Sequence, residues 1–231
     1  MGMSINKNML QVLSNLSHEL RNPIATLTSG LELLEFAEEK EKFEKTKRIL
    51  IRQTQQLDHL VEDLLDLARI SNNKIQLKKE WVHLNQLVKW AVEDHSIRYE
   101  EKGIRLEMVE MEEEISINGD PQRLRQVIEN LLHNAFKFTN RGGSITLSVD
   151  RQENEAVISV KDTGVGIAAT MLPILFDPFV QAEAAPDQNS SGLGLGLSIS
   201  KEIIGLHGGR IEGYSEGLGK GSEFVIRLPM E

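Results

Sequence analysis

The sequence predicts an α+β protein: a long helical hairpin, then a domain in which strands and helices alternate. Three observations predict it. Residues 5 to about 72 hold a single proline and a single glycine, Pro23 and Gly30, and keep a helical period. Residues 80–231 hold most of the 18 glycines and switch between a period of 2 and a helical period. At 231 residues, 40% hydrophobic and 26% charged, the chain can bury a real core as one large or two small domains. Polar Ser71-Asn72-Asn73 breaks the first pattern. The expected division is a hairpin over 1–72, a linker over 73–79 and a second domain over 80–231.

The hairpin comes first. Leu13, Leu16, Leu20, Ile24, Leu27, Leu31 and Leu34 recur at helical spacing and fall within an arc of roughly 80°, a narrow seam. Glu35–Glu44 is charge-rich and reads as the connection. A second stripe runs through Leu50, Leu57, Leu60, Val61, Leu64, Leu67 and Ala68. Two helices cannot enclose both seams. Pairing with a second copy into a four-helix bundle is the economical solution, so a homodimer is expected; the alternative, packing of both seams onto the second domain, would need a large apolar face there.

In the second domain, Trp81–Leu84 reads as a strand, and Asn85 reads as the cap of a helix to about Glu101. Ile104–Met108 and Ile115–Ile117 read as strands. Asp120 caps a helix with Pro121 at its first position, running to about Phe138. Ser144–Asp150 and Ala156–Lys161 alternate as antiparallel strands. Leu195–Leu206 is a helix that stops at Gly208-Gly209, and Arg210–Tyr214 and Ser222–Leu228 close the domain as strands. One sheet with helices on one face is the expected arrangement.

Composition excludes several classes of function. Net charge is −9, from 26 basic and 35 acidic side chains, and argues against nucleic acid as a partner. The absence of cysteine removes disulfides, thiolate metal sites and a cysteine nucleophile. No apolar run reaches the roughly 18–20 residues that span a bilayer, and no export signal is visible, so a cytoplasmic location without membrane contact is expected. Met1-Gly2-Met3-Ser4 reads as an expression start, which makes the chain a piece of a longer protein by expectation.

Two regions carry chemistry. Relative to the seam of the first helix, centred at about 340° with Leu13 at zero, His18 falls at roughly 140° and Asn22 at about 180°. Glu19 lies to one side. A surface histidine alone would say little. Here Pro23 sits inside a helix that continues, at a cost of about 3 kcal/mol if nothing compensates, and perturbs the turn that carries the histidine. A neutral imidazole is a nucleophile, and a neighbouring carboxylate can take its proton as it attacks.

The second region is three segments far apart in sequence. Asn130 and Asn134 share a helix face, with Lys137 and Phe138 following; amide oxygens are hard ligands that suit Mg²⁺, and a lysine suits phosphate. Asp162-Thr163-Gly164-Val165-Gly166 follows a strand, so the carboxylate can accept from an exocyclic amine such as adenine N6. Gly192-Leu193-Gly194-Leu195-Gly196 opens a helix, and backbone N–H groups there form an anion cradle. No Lys-Ser/Thr follows these glycines, so this is not a Walker loop. Gln181–Ser191 is polar and reads as a mobile lid, anchored by Phe176-Asp177-Pro178-Phe179.

Ser17-His18-Glu19-Leu20-Arg21-Asn22-Pro23 closely resembles the phosphoacceptor box of sensor histidine kinases. The later segments, in this order, resemble the N box, first glycine box, F box and second glycine box of the ATP-binding domain of that family, shared with gyrase and MutL. The resemblance implies a dimeric four-helix bundle followed by an α/β sandwich of the Bergerat type. It implies that His18 accepts a phosphoryl group, Glu19 is its base and Asn22 positions the ring or a hydrolytic water. Many members carry threonine at the Asn22 position, and the asparagine here bears on the balance between kinase and phosphatase activity. By the same resemblance Asn134 ligates Mg²⁺, Asn130 and Lys137 contact the phosphate region, and Asp162 reads adenine. Gly164 and Gly166 shape the base pocket, Phe138, Phe176 and Phe179 belong to its surroundings, and Gly192 to Gly196, with Leu193 and Leu195 between them, wrap the phosphates. Gyrase-type ATPases carry a water-activating glutamate where this chain has Asn130.

The implied reaction passes the γ-phosphoryl group of ATP to His18, and from there to an aspartate on a response-regulator receiver domain. Two alternatives stand beside it: a protein acting mainly as a phosphatase on that partner, and a dimeric scaffold holding nucleotide without transfer.

Overall fold

A computed structural model describes residues 2–35, 39–72, 74–109, 113–181 and 193–230; the side chains of residues 2–15 and of His18 lie outside it. The chain divides into two compact units, Met1–Asn73 with Gln181–Leu195, and Lys74–Val180 with Gly196–Glu231.

The first unit holds α1 (Gly2–Glu35) and α2 (Lys40–Ser71). Helix α1 runs through Pro23, which is buried. The two helices touch closely at Gly30: a Cβ there would lie 2.6 Å from Leu50 Cδ2. The expected connection over Glu35–Glu44 is shorter in the structure, because α2 already begins at Lys40. Charge did not prevent helix formation there, since Lys and Glu are good helix formers. Both helices keep large apolar side chains in solvent in the single chain: Ile24, Leu31 and Leu33 on α1, and Ile51, Val61 and Leu65 on α2. Asp66, within the apolar stretch of α2, is fully buried, 3.3 Å from Arg69 Nη1.

The second unit contains β1 (Glu80–His83), α3 (Leu84–Lys102), β2 (Arg105–Val109), β3 (Ser116–Gly119), α4 (Pro121–Phe138), β4 (Ser144–Gln152), β5 (Glu155–Asp162), α5 (Gly196–Leu206), β6 (Arg210–Tyr214) and β7 (Ser222–Pro229). The expectation of one sheet is corrected. A five-stranded sheet has the order β2-β4-β5-β7-β6, and β1 pairs with β3 in a separate antiparallel ribbon. β2 runs parallel to β4, with Arg105 opposite Ser144, while every other pair in the large sheet is antiparallel. Alternation within a strand reports which side faces the core and not which strand lies beside it.

The core lies on one face of the sheet. Ile145, Leu147 and Val149 of β4 are fully buried, as are Ile158 of β5 and Leu228 of β7 to within 1%. Against them α4 sets Leu124, Val127, Ile128, Leu131, Leu132 and Ala135, a stripe at helical spacing. Each of the Leu, Ile and Val side chains contributes about 1.5–3 kcal/mol of burial. Ser148, Ser159, Lys161 and Arg227 alternate onto the opposite face. The two open edges are charged: β2 pairs Arg105 with Glu107 at 3.7 Å, and on β6 Arg210 pairs with Glu155 and Glu212.

Asp120 caps α4 by accepting from Arg123 N–H at 3.1 Å, with Pro121 at the first position, as expected. Asn85 is not the cap of α3; His83 occupies that position and Asn85 lies inside the helix. The Asn85 amide instead donates to Glu113 O at 3.2 Å and accepts from Ile115 N–H at 2.9 Å. At the other end of α3, Tyr99 donates to Leu132 O at 2.6 Å, and Lys102 donates to Phe136 O and, at 2.9 Å, to Thr139 O. Phe136 lies in the last turn of α4, where carbonyls lack intrahelical donors, and Thr139 is the residue that caps that end, so Lys102 of α3 holds the end of the helix that carries the site.

Candidate nucleotide and phosphoacceptor sites

Asp162 ends β5 and is 4% exposed. Its Oδ1 accepts from Gly164 N–H at 2.7 Å, and its Oδ2 accepts from the Ser222 hydroxyl. The carboxylate is thereby aimed and cannot swing; its remaining lone pairs can still accept from a ligand amine. The first glycine segment is stitched on both sides. Val165 N–H donates to Phe138 O at 3.1 Å, at the end of α4. Gly219 N–H donates to Val165 O at 2.7 Å, and Gly221 N–H to Gly164 O at 3.1 Å. Gly164 is required because a Cβ would lie 2.4 Å from Phe138 O, and Gly166 because its φ is +70° with Gly217 O in the way. Both glycines thus serve close approach between chain segments.

On α4, Asn130 donates from its amide to Gly196 O at 3.2 Å and to Ser200 Oγ at 3.4 Å. It ties α4 to the first turn of α5. Asn134 is half-buried, and among the described residues its amide has no hydrogen-bond partner. Lys137 Nζ lies 4.9 Å from the centre of the Phe138 ring. Glu129 turns away to an ion pair with Arg125 at 2.7 Å, and Arg125 also binds Asp94 at 2.9 Å.

Helix α5 begins at Gly196, one residue later than expected, and Gly194 takes φ +70° just before it. Leu193 and Leu195 are buried. Gly192 and the expected lid, apart from Gln181, lie outside the described residues. Phe176 packs edge-on to Phe224 at 6.5 Å, with Lys201 Nζ 5.9 Å over its ring, so it is an anchor. Phe179 adopts φ +66°, a left-handed conformation that costs a bulky residue about 1–2 kcal/mol.

On α1, Asn22 is exposed and Glu19 half-buried. His18 lies within the helix, and its side chain is outside the described part. Among the described residues no group of three His, Asp or Glu could hold a metal ion. An amide such as Asn134 fits Mg²⁺ only as one ligand among phosphate oxygens and waters, which is how that ion is usually held. A concavity of about 400 Å³ lined by Ser96, Glu100, Gly103, Ile104, Arg105 and Leu106 includes none of these residues.

Sequence reasoning missed Ser222 and Gly221. The hydroxyl of Ser222 fixes Asp162, and a Cβ at Gly221 would lie 2.0 Å from Asp162 O. The Gly219-Lys220-Gly221-Ser222 run ahead of the last strand was the available signal.

Residues 8–73 match the model of the His Kinase A (phospho-acceptor) domain. Residues 119–231 match that of the histidine kinase-, DNA gyrase B- and HSP90-like ATPases. The sensor protein SrrB of Staphylococcus aureus is 33% identical over 219 residues, 94% of this chain and 37% of that protein. The chain therefore spans little more than a third of the curated relatives it matches. The histidine kinase AdeS of Acinetobacter baumannii superposes with a TM-score of 0.68 at 26% identity, over 93% of this chain and 98% of that one. Full-length ShkA, solved in complex with AMPPNP, gives 0.69 at 32% identity over 94% and 45%. The fold of ThkA, solved with the response regulator TrrA, is also shared, with a TM-score of 0.69 at 22% identity over 97% and 64%. Among the described residues no helix is long and apolar enough to cross a membrane.

Proposed function

From the premise that the chain belongs to the sensor histidine kinases, we propose that it phosphorylates itself on His18, with ATP as phosphoryl donor, and passes the group to a response regulator. One observation carries the choice of transfer over hydrolysis. On α4 the position that could activate water is Asn130, whose amide donates to Gly196 O at 3.2 Å, and the adjacent Glu129 is bound to Arg125. An amide takes no proton from water at neutral pH, so the acceptor of the phosphoryl group comes from outside this helix, and His18 supplies it.

In the proposed reaction Asp162, fixed by Gly164 N–H and Ser222, binds the adenine amine. The N–H groups at the start of α5 and Lys137 hold the phosphates. Asn134 would hold Mg²⁺, which would neutralise charge on the phosphate oxygens. A neutral imidazole nitrogen of His18 attacks the γ-phosphorus in line. The N–P bond forms as the bond to the bridging oxygen breaks, ADP leaves, and the ring proton passes to Glu19. Asn22, exposed on the next turn, orients the ring. The exposed apolar side chains of α1 and α2 support a homodimer, with the phosphoacceptor hairpin over 1–72 and the ATP-binding domain over 80–231. In this reading the partner is the receiver domain of a response regulator, and the reaction is cytoplasmic.

The test is incubation with γ-labelled ATP and Mg²⁺. Acid-labile label appears on the wild type and disappears in His18→Gln, while nucleotide binding persists. Label that survives the substitution refutes the assignment.

A further inference from the structure

One residue at the start of α4 ties three pieces of the second unit together. Asp120 accepts from Arg123 N–H at 3.1 Å through Oδ1, and from Lys78 N–H at 2.9 Å through Oδ2. Its own N–H donates to Nε2 of His207 at 2.9 Å. His207 is the first residue after α5, 5% exposed, and its Nδ1 lies 2.8 Å from Ile203 O. A carbonyl can only accept, so Nδ1 carries the proton and Nε2 is the bare acceptor. The tautomer is dictated by the two partners. Gly119, just before Asp120, leaves room for the ring, since a Cβ would lie 3.1 Å from His207 Cδ2.

The knot joins the foot of α4 to the end of α5 and to the segment that enters β1. The same two helices are joined again at Asn130 and Gly196. Asn134 and Lys137 ride on α4, and the N–H groups proposed above to hold the phosphates open α5. The spacing between those two half-sites is therefore set at two points, one near the ligand and one at His207. We propose that His207 is a positioning residue for nucleotide binding, a clasp that holds α4 against α5 while its imidazole is neutral and releases them when it takes a proton. This inference rests on the nucleotide reading of the site.

Protonation would place an N–H of the ring against the N–H of Asp120 and bury a charge. Burial is the main force lowering the imidazole below its ordinary range. The Ile203 carbonyl pulls the other way, Lys79 from the segment before β1 adds to the lowering, and the Asp120 carboxylate opposes it. The neutral form thus prevails at pH 7, and the clasp is lost as pH falls through the folded value.

The experiment measures AMPPNP affinity with Mg²⁺ for the full chain, wild type against His207→Gln, at about pH 7.5 and about pH 5.5. Glutamine keeps an acceptor at the Nε2 position and does not titrate in this range. The two proteins should bind equally at the higher pH, and the wild type should lose about tenfold more affinity at the lower one. Comparing the two removes the titration of the nucleotide itself. Parallel pH profiles overturn the clasp and leave the nucleotide site standing. Absence of binding by the wild type at the higher pH sinks the nucleotide reading and the clasp together. Nitrogen-15 NMR of the wild type gives a check that needs no variant: Nε2 of His207 must be unprotonated at about pH 7.5, and a protonated Nε2 refutes the proposal.

Discussion

Asp162 shows what a single residue contributes here. Both of its oxygens face donors, Gly164 N–H and the Ser222 hydroxyl. Asp162→Asn turns one acceptor into an NH₂ group and sets it against a donor. The expected cost is about 1–3 kcal/mol in a urea melt, together with loss of AMPPNP binding, read by calorimetry. Unchanged nucleotide affinity in a folded variant would contradict the adenine role. Asp162 was legible in the sequence because it ends an alternating run and precedes two glycines. Ser222 was not, because its partner lies 60 residues away and nothing local marks it. Asn130 was singled out in the sequence as a candidate site residue, whereas its bond to Gly196 O required the fold.

Among the elements, α2 carries its own pH dependence. Burial, with the neighbouring carboxylates of Asp66 and Glu62, pushes Asp63 up to about 6. A carboxyl with a raised folded value stabilises the protein fully below the ordinary carboxylate range, and that stability is lost as pH rises through about 6. At pH 8 the ionised group therefore costs on the order of 2–3 kcal/mol. Asp63→Asn should raise the melting temperature of the hairpin at pH 8 and change it little at pH 4, as followed by circular dichroism. Equal effects at the two pH values would count against the linkage. Helix α4 was legible in full, from the Asp120-Pro121 start to Phe138, because each signal for it is local. The start of α3 was misread for the opposite reason: the amide of Asn85 is used by Glu113 and Ile115, far along the chain.

For the whole molecule, the seams on α1 and α2 and the polar break at Ser71-Asn72 were enough to separate a hairpin from a second domain. The parallel pairing of β2 with β4 and the separate β1–β3 ribbon were not legible, since strand neighbours are chosen by tertiary packing. Ile24, Leu31, Leu33, Ile51, Val61 and Leu65 remain in solvent in a single copy. Light scattering at micromolar concentration should therefore report a dimer; a monomer would oppose the four-helix bundle.

A dimer of this kind would hold two copies of the mixed sheet, each with open backbone donors and acceptors along its edge strands β2 and β6. Crowding bare edges together normally invites runaway strand-to-strand polymerisation. The charges at Arg105, Glu107, Arg210 and Glu212 act as fenders on those edges. Charged edges disfavour strand pairing between copies, so a dimer built through the helices, as proposed, would stop at a closed number instead of growing into fibres.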